Sequence, residues 1–251
     1  CTDRLWKSVG LGIVSTTVVQ SSSLVSVVTI SFLSAGLIGL RQGIGIIFGA
    51  NLGTTTGAWL IAGFGMNMKL SAYALPMLVF GVLLLMQASR RLKGFGWVLM
   101  GVGFLFLGIE YMKDGFSNFS DQIVLTRYAM TGSAGLLVFT LAGVIATVLM
   151  QSSHATLTLI ITALAAGQVS YENALALAIG ANVGTTITAI LGAIGANAAG
   201  KRLAAAHLVF NVVTGVVALI FIQLLLAAAD GLGNLLGIAA DNYILKLALF
   251  H

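Results

Sequence analysis

The polar residues of this chain fall in short clusters set inside long apolar runs. "VVQSSSLVSVVTI", residues 18–30, places Gln20, Ser21, Ser22 and Ser23 in an otherwise apolar stretch, and "VLMQSSHATLTLI", residues 148–160, places Gln151, Ser152, Ser153 and His154 the same way. A membrane-spanning helix needs about 20 apolar residues to cross a core of about 30 Å. The runs over residues 71–89, 96–112 and 203–229 predict such helices, whereas residues 9–19 and 24–40 are short for a comfortable span. A re-entrant hairpin that enters, turns at Gln20–Ser23 and leaves fits both lengths. Non-helical backbone at that depth is tolerated only where it lines a cavity enclosed by protein.

Composition agrees with this reading. Hydrophobic residues make up 59% of the chain, charged residues 8%, and the mean hydropathy is +1.05. A soluble domain carries roughly 25% charged residues, so there is too little charge here to coat a water-facing surface. The 31 glycines suit closely packed membrane helices. The fold class is therefore an all-α polytopic membrane protein. Its net charge of +5 comes from basic residues at the ends of apolar runs, among them Arg41, Lys69, Arg90, Arg91, Lys93, Lys201 and Arg202. That is a topology signal, not a nucleic-acid footprint. The single Cys1 excludes an internal disulfide, and no transition-metal site is expected from His154, His207 and His251, which lack ligand spacing. No signal peptide is read at the start of the chain, where Cys1 points to a trimmed terminus.

The chain repeats itself. Gln20 falls on Gln151, and "GANLGTTTG" from Gly49 falls on "GANVGTTIT" from Gly180; 151 − 20 and 180 − 49 both give 131. "SAG" at Ser34 falls on "AAG" at Ala165 with the same offset. The repeat divides the chain into residues 1–93, residues 94–230 and a C-terminal segment, 231–251. The second half has a lead-in helix at residues 96–112 that the first half lacks, so an N-terminal helix is expected to be missing. Basic flanks follow the first-half helix at residues 71–89 but precede its second-half counterpart at 203–229. Basic flanks stay cytoplasmic, which predicts inverted repeats with a site between them near the membrane midplane.

The glycine-rich motifs predict a discontinuous helix in each repeat, with Gly49 and Gly53 allowing an unwound stretch. Broken helices expose free N–H groups at one end and free C=O groups at the other. Amides and hydroxyls suit an anion; carbonyl and amide oxygens suit Na+. Neither motif pair contains Lys, Arg, Asp or Glu, so the machinery reads as neutral dipoles shared by an anion and monovalent cations. Isolated hydroxyls such as Ser26 and Thr140 are expected to bond a carbonyl one turn back or to join helices. His207 and Asn211, four apart on one helix face, are expected to make structural hydrogen bonds.

Paired QSS motifs, each followed by GAN-x-GTT, resemble the type II sodium/phosphate cotransporters over about residues 10–229. The resemblance implies Na+-coupled uptake of inorganic phosphate by alternating access, by a multi-pass protein of the cell (plasma or inner) membrane. It implies a phosphate site of Ser21, Ser22, Ser23, Ser152, Ser153, His154, Thr54 and Thr185, and Na+ ligands Gln20, Gln151, Asn51, Asn182, Thr55 and Thr186. The coupling ion is Na+, no other cofactor is implied, and a homo-oligomer is compatible. His154 departs from the pattern, standing where the first half has Ser23.

Two other functions compete. The same fold could carry a dicarboxylate or sulfate. A channel is disfavoured, because channels usually assemble one pore from identical subunits. An enzyme is not expected, since the apolar runs hold no catalytic carboxylates.

Overall fold

Where no water can satisfy backbone N–H and C=O groups, apolar chain must be helical, and here it is. The computed structural model describes residues 4–62, 71–119 and 132–251; Cys1 and Lys69 lie outside the described residues. Its helices are α1 (Leu5–Val19), α2 (Ser22–Ser34), α3 (Leu40–Leu60), α4 (Ser71–Leu85), α5 (Arg90–Phe119), α6 (Gly132–Met150), α7 (Ser153–Ala165), α8 (Tyr171–Gly184), α9 (Thr186–Gly192), α10 (Ala198–Ile220), α11 (Ile222–Leu235) and α12 (Tyr243–Phe250).

Among the described residues, four helical stretches are long and apolar enough to cross a bilayer: Arg90–Met112, Gly132–Met150, Tyr171–Gly192 and Ala198–Ile220. Tyr171–Gly192 is 61% buried, against 17–28% for the other three. It is the central helix, and the others turn apolar sides outward as membrane helices do. The described residues are all-helical, as suits a membrane protein.

At each QSS motif two short helices meet at a tight break. Gln20 and Gln151 have φ of 55° and 54° and are the non-glycine residues with positive φ among those described. That left-handed conformation costs roughly 1–2 kcal/mol for an L-residue. Capping offsets it. Gln20 donates its backbone N–H to Thr16 (2.7 Å) and its side-chain Nε2 to the Thr17 carbonyl (2.6 Å). Gln151 does the same to Thr147 (2.8 Å) and Val148 (2.5 Å). Ser21 and Ser152 then open the following helices, their Oγ atoms accepting from Leu24 N and Ala155 N at 3.2 Å. The dipeptide Gln-Ser is thus a C-cap and an N-cap placed back to back.

The helices that follow are also alike. Both α2 and α7 are 13 residues long and close at a left-handed glycine, Gly36 (φ 74°) and Gly167 (φ 68°). Leu37 N bonds Phe32 O, and Gln168 N bonds Ala163 O, both at 2.9 Å. This is the six-to-one closure that frees the chain to turn back.

The expected unwinding at GAN-x-GTT does not occur in the first copy, where α3 is continuous through GANLGTTTG. In the second copy the helix is interrupted at Thr185, between α8 and α9, with φ of −57° and ψ of −27°. The glycines serve close packing instead. A Cβ on Gly49 would strike the Val9 carbonyl oxygen, and one on Gly12 would strike Ile46 O. In the second half the counterparts are Gly180 against Thr140 O and Gly143 against Leu177 O. Two backbone-to-backbone seams result, α1 on α3 and α6 on α8. α10 packs across α2, α3, α8 and α9.

Two further expectations are corrected. The helix expected over residues 203–229 breaks at Phe221, from where α11 turns to bury Ile222 and Ala229. The hydroxyls of Ser26 and Thr140 are buried without a hydrogen-bond partner among the described residues; Thr140 lies in the α6–α8 seam, where closeness of the backbones takes precedence. Thr29, Thr158 and Thr162 do bond back one turn, at 2.6–2.8 Å.

Candidate functional site

The starts of α2 and α7, the middles of α3 and α8, and α10 surround a cavity of about 550 Å³. Six of the polar residues facing it form pairs 131 apart: Ser22 with Ser153, Asn51 with Asn182, Thr54 with Thr185. Thr55 joins them, without Thr186. Among the described residues, no Asp, Glu, Lys or Arg lines it.

The chemistry of each pair follows from its position. Ser22 and Ser153 are the first helical residues of α2 and α7. Free N–H groups and the positive end of the helix dipole therefore reach the cavity from both halves, a setting that favours an anion. Thr54 and Thr185 donate their hydroxyl protons to Ala50 O and Ala181 O, each at 2.9 Å. What they can offer a ligand is oxygen lone pairs, as can the Asn51 and Asn182 carbonyl groups. Those suit a cation. The cavity thus holds donors for an anion and acceptors for a hard monovalent cation, with no fixed charge for either.

The remaining residues expected at the site stand outside the cavity lining. Ser21 and Ser152 are caps. Gln20 and Gln151 form the breaks beside it: Gln20 Nε2 donates to Thr56 Oγ1 at 3.1 Å, and Thr188 Oγ1 donates to Gln151 Oε1 at 3.3 Å. Thr186 bonds back to Val183 O at 2.7 Å. Ser23 and His154 lie in the first turns of α2 and α7, and the His154 ring packs where a Gly57 side chain would be.

Several lining residues escaped the sequence. Asn211 does make the expected structural bond, to His207 O at 3.0 Å, but its side chain also faces the cavity, 3.5 Å from Asn51 Nδ2. His207, outside the lining, does not make the expected side-chain bond: it is buried, and neither ring nitrogen has a partner among the described residues. Phe48 and Phe210 stack across the cavity wall, ring centres 4.2 Å apart. Phe250 and His251, carried by α12, close one side, with His251 Nε2 3.0 Å from Asn182 Oδ1. α12 is held there by Lys246, which pairs with Asp230 at 2.7 Å and donates to Ala240 O at 2.8 Å. Nothing in the apolar sequence of α12 signals this fold-back.

Residues 1–114 and 123–240 match the family model described as Na+/Pi-cotransporter. The chain belongs to that family. A relative from Bacillus subtilis, YqeW, described as uncharacterized, is 30% identical over 219 residues, covering 84% of this chain and 67% of its own. "Putative inorganic phosphate export protein YjbB" of Escherichia coli K12 is 31% identical over 232 residues, 90% of this chain and 40% of its own; the Salmonella typhimurium protein of that name is 30% identical over 229 residues. The chain spans well under half the length of YjbB. No solved structure matches. The family is one of transporters, which points to phosphate transport.

Proposed function

We propose that this chain forms the core of a secondary transporter that moves inorganic phosphate together with Na+, the two inverted halves exposing the central cavity alternately to each side of the cell membrane. The observation that supports this best is the cavity itself, with Ser22, Asn51 and Thr54 matched by Ser153, Asn182 and Thr185. Burying a phosphate anion in a site without fixed positive charge is costly unless a cation enters with it. Oxygen acceptors beside the anion donors provide a place for that cation. Phosphate binds at the Ser22 and Ser153 ends, and Na+ at the Asn and Thr oxygens. The neutral cavity alone would admit a dicarboxylate or sulfate; the family favours phosphate. A coupled carrier runs in the direction its gradients dictate, so an inward Na+ gradient drives uptake, and reversed gradients give the export for which YjbB is named.

The test is labelled phosphate flux in proteoliposomes carrying the purified chain. An inward Na+ gradient should accelerate uptake over choline, and reversing the gradient should reverse net flux. Equal flux in Na+ and choline would refute the coupling.

A further inference from the structure

Of the hydroxyls on α2, those of Thr29 and Ser31 bond back one turn, to Val25 O and Val27 O at 2.6 and 2.9 Å. Those of Ser26 and Ser34 do not. Both Oγ atoms are buried without a partner among the described residues, and so are both ring nitrogens of His207 on α10. Such groups are costly to bury.

The packing gathers all three into one seam. α2 and α10 run antiparallel. At one end a Cβ on Gly200 would lie 2.6 Å from Ser34 Oγ and 3.2 Å from Ile30 Cγ2. At the other, Ser22 and Asn211 line the same cavity. Ser26 is one turn beyond Ser22 and His207 one turn before Asn211, so both fall between those ends. α3 flanks the seam, with Gly43 level with Leu203 and Asn51 level with Asn211. The seam therefore leads from the cavity to the end of the molecule where α3 and α10 begin, which carries Arg41, Lys201 and Arg202.

At that mouth Asn197 ties the two helices. Its Oδ1 accepts from Gly200 N, capping α10, and its Nδ2 donates to Ser34 O, both at 3.0 Å. α2 is bounded by the left-handed Gln20 and Gly36. The second half differs: the positions 131 on from Ser26 and Ser34 are Leu157 and Ala165, and Leu157 is buried in an apolar cluster with Ile161 and Leu175.

We propose that the α2–α10 seam is the route by which phosphate passes between the cavity and the basic face, with Asn197 as its clasp. This rests on the transport reading and adds the residues met on the way. α2 swings from α10 on its two left-handed joints, and the bond from Asn197 to Ser34 breaks. Ser26 and Ser34 then offer hydroxyls, and the neutral His207 ring offers one N–H and one lone pair, to water and to the hydrated anion. Groups left unpartnered when the seam is shut are satisfied when it is open, which narrows the free-energy gap between the two states. The basic residues draw an anion to the mouth. Basic ends stay cytoplasmic, so the route opens on the cytoplasmic side.

The test uses the full chain with Cys1→Ser as background and one new cysteine at a time: Ser26→Cys, Leu157→Cys as its counterpart in the second half, and Lys201→Cys to mark the basic face. An impermeant anionic thiol reagent is applied, without phosphate, to membrane vesicles of each orientation. Ser26→Cys should react from the side on which Lys201→Cys reacts, and faster than Leu157→Cys. Ser34→Cys, at the mouth, is a second reporter with the same expectation. Asn197→Asp keeps the cap but cannot donate to Ser34 O. Added to Ser26→Cys, it should speed labelling about fivefold, the equivalent of one net hydrogen bond. His207→Leu removes an unpartnered buried polar group, so melting should hold or rise, whereas phosphate flux should fall well below the parent's while phosphate binding in Na+ persists. The proposal is overturned if Ser26→Cys and Ser34→Cys react no faster than Leu157→Cys or from the face opposite Lys201→Cys, if Asn197→Asp leaves the rate unchanged, or if His207→Leu transports like the parent. Labelling contains no phosphate, so equal parent flux in Na+ and choline would count against the transport reading and not against the route.

Discussion

The first and second polar breaks share one backbone and differ in what surrounds it. In each, a helix ends on a left-handed glutamine whose amide bonds the last turn, and the next helix starts on a capping serine. In the first half a glycine on α3 admits an imidazole from α7; in the second, a threonine on α9 bonds the glutamine directly. α12 adds a second difference, since His251 engages Asn182 while Asn51 faces Asn211. What is duplicated is the device that makes the break, and what varies is the side chain that answers the glutamine. Backbone geometry has one solution here, whereas the chemistry beside it can change one residue pair at a time.

The comparison can be broken most forcefully at the seams. Gly49→Ala and Gly180→Ala each push a methyl into a backbone carbonyl, Val9 O or Thr140 O. Neither backbone can yield cheaply, so both variants should lose about 3 kcal/mol or more of stability, read as loss of a monodisperse peak and of the melting transition. If only one of the two fails, the seams are not equivalent.

Next come the glutamines. Gln20→Gly and Gln151→Gly keep the left-handed conformation without strain and remove the amide. Protein yield and melting should stay near the parent, while transport falls roughly fivefold, the equivalent of one net hydrogen bond that holds the broken helix ends carrying Ser22 and Ser153 to the cavity. Parent-like transport in both would leave the glutamines as caps only. Unequal losses would sharpen the contrast between the halves.

His251→Ala acts on the second half alone. It frees the Asn182 carbonyl oxygen from a competing partner, and a net hydrogen bond of about 1 kcal/mol predicts roughly fivefold tighter ligand binding. Isothermal titration with phosphate in Na+ would show it; weaker binding would make His251 a ligand contact. The smallest effect is at Gly10, where a Cβ meets nothing within 4 Å. Gly10→Ala should stabilise by about 0.5–1 kcal/mol through helix propensity, a control showing that the seam glycines matter by position and not by being glycine.

The class of fold was legible because hydropathy is a summed property, and so was the duplication, because an offset survives in residue identities. The breaks were legible for a related reason: Gln20 and Ser21 are polar where lipid would forbid it. The reading of Gly49 and Gly53 failed because glycine has two uses, loosening a backbone and admitting a neighbour, and a single chain does not say which. Half of the motif residues proved to be caps or to stand beside the cavity because a Ser-Ser-Ser run samples every direction around a helix start; Ser22 faces the cavity and Ser21 does not. Phe210 and His251 were invisible for want of any signal linking α10 and α12 to α3 and α8 across more than 60 residues.

The seams also limit how the molecule can move. With Gly12 against Ile46 O and Gly49 against Val9 O, α1 and α3 touch backbone to backbone at two levels. Neither helix can slide or roll on the other without driving a carbonyl into a Cα. The same holds for α6 and α8. Each pair is mechanically one part, a rigid strut, and whatever rearrangement opens the cavity to one side must carry each strut whole. The compliance has to lie at the joints: the left-handed glutamines at one end of α2 and α7, and Gly36 and Gly167 at the other.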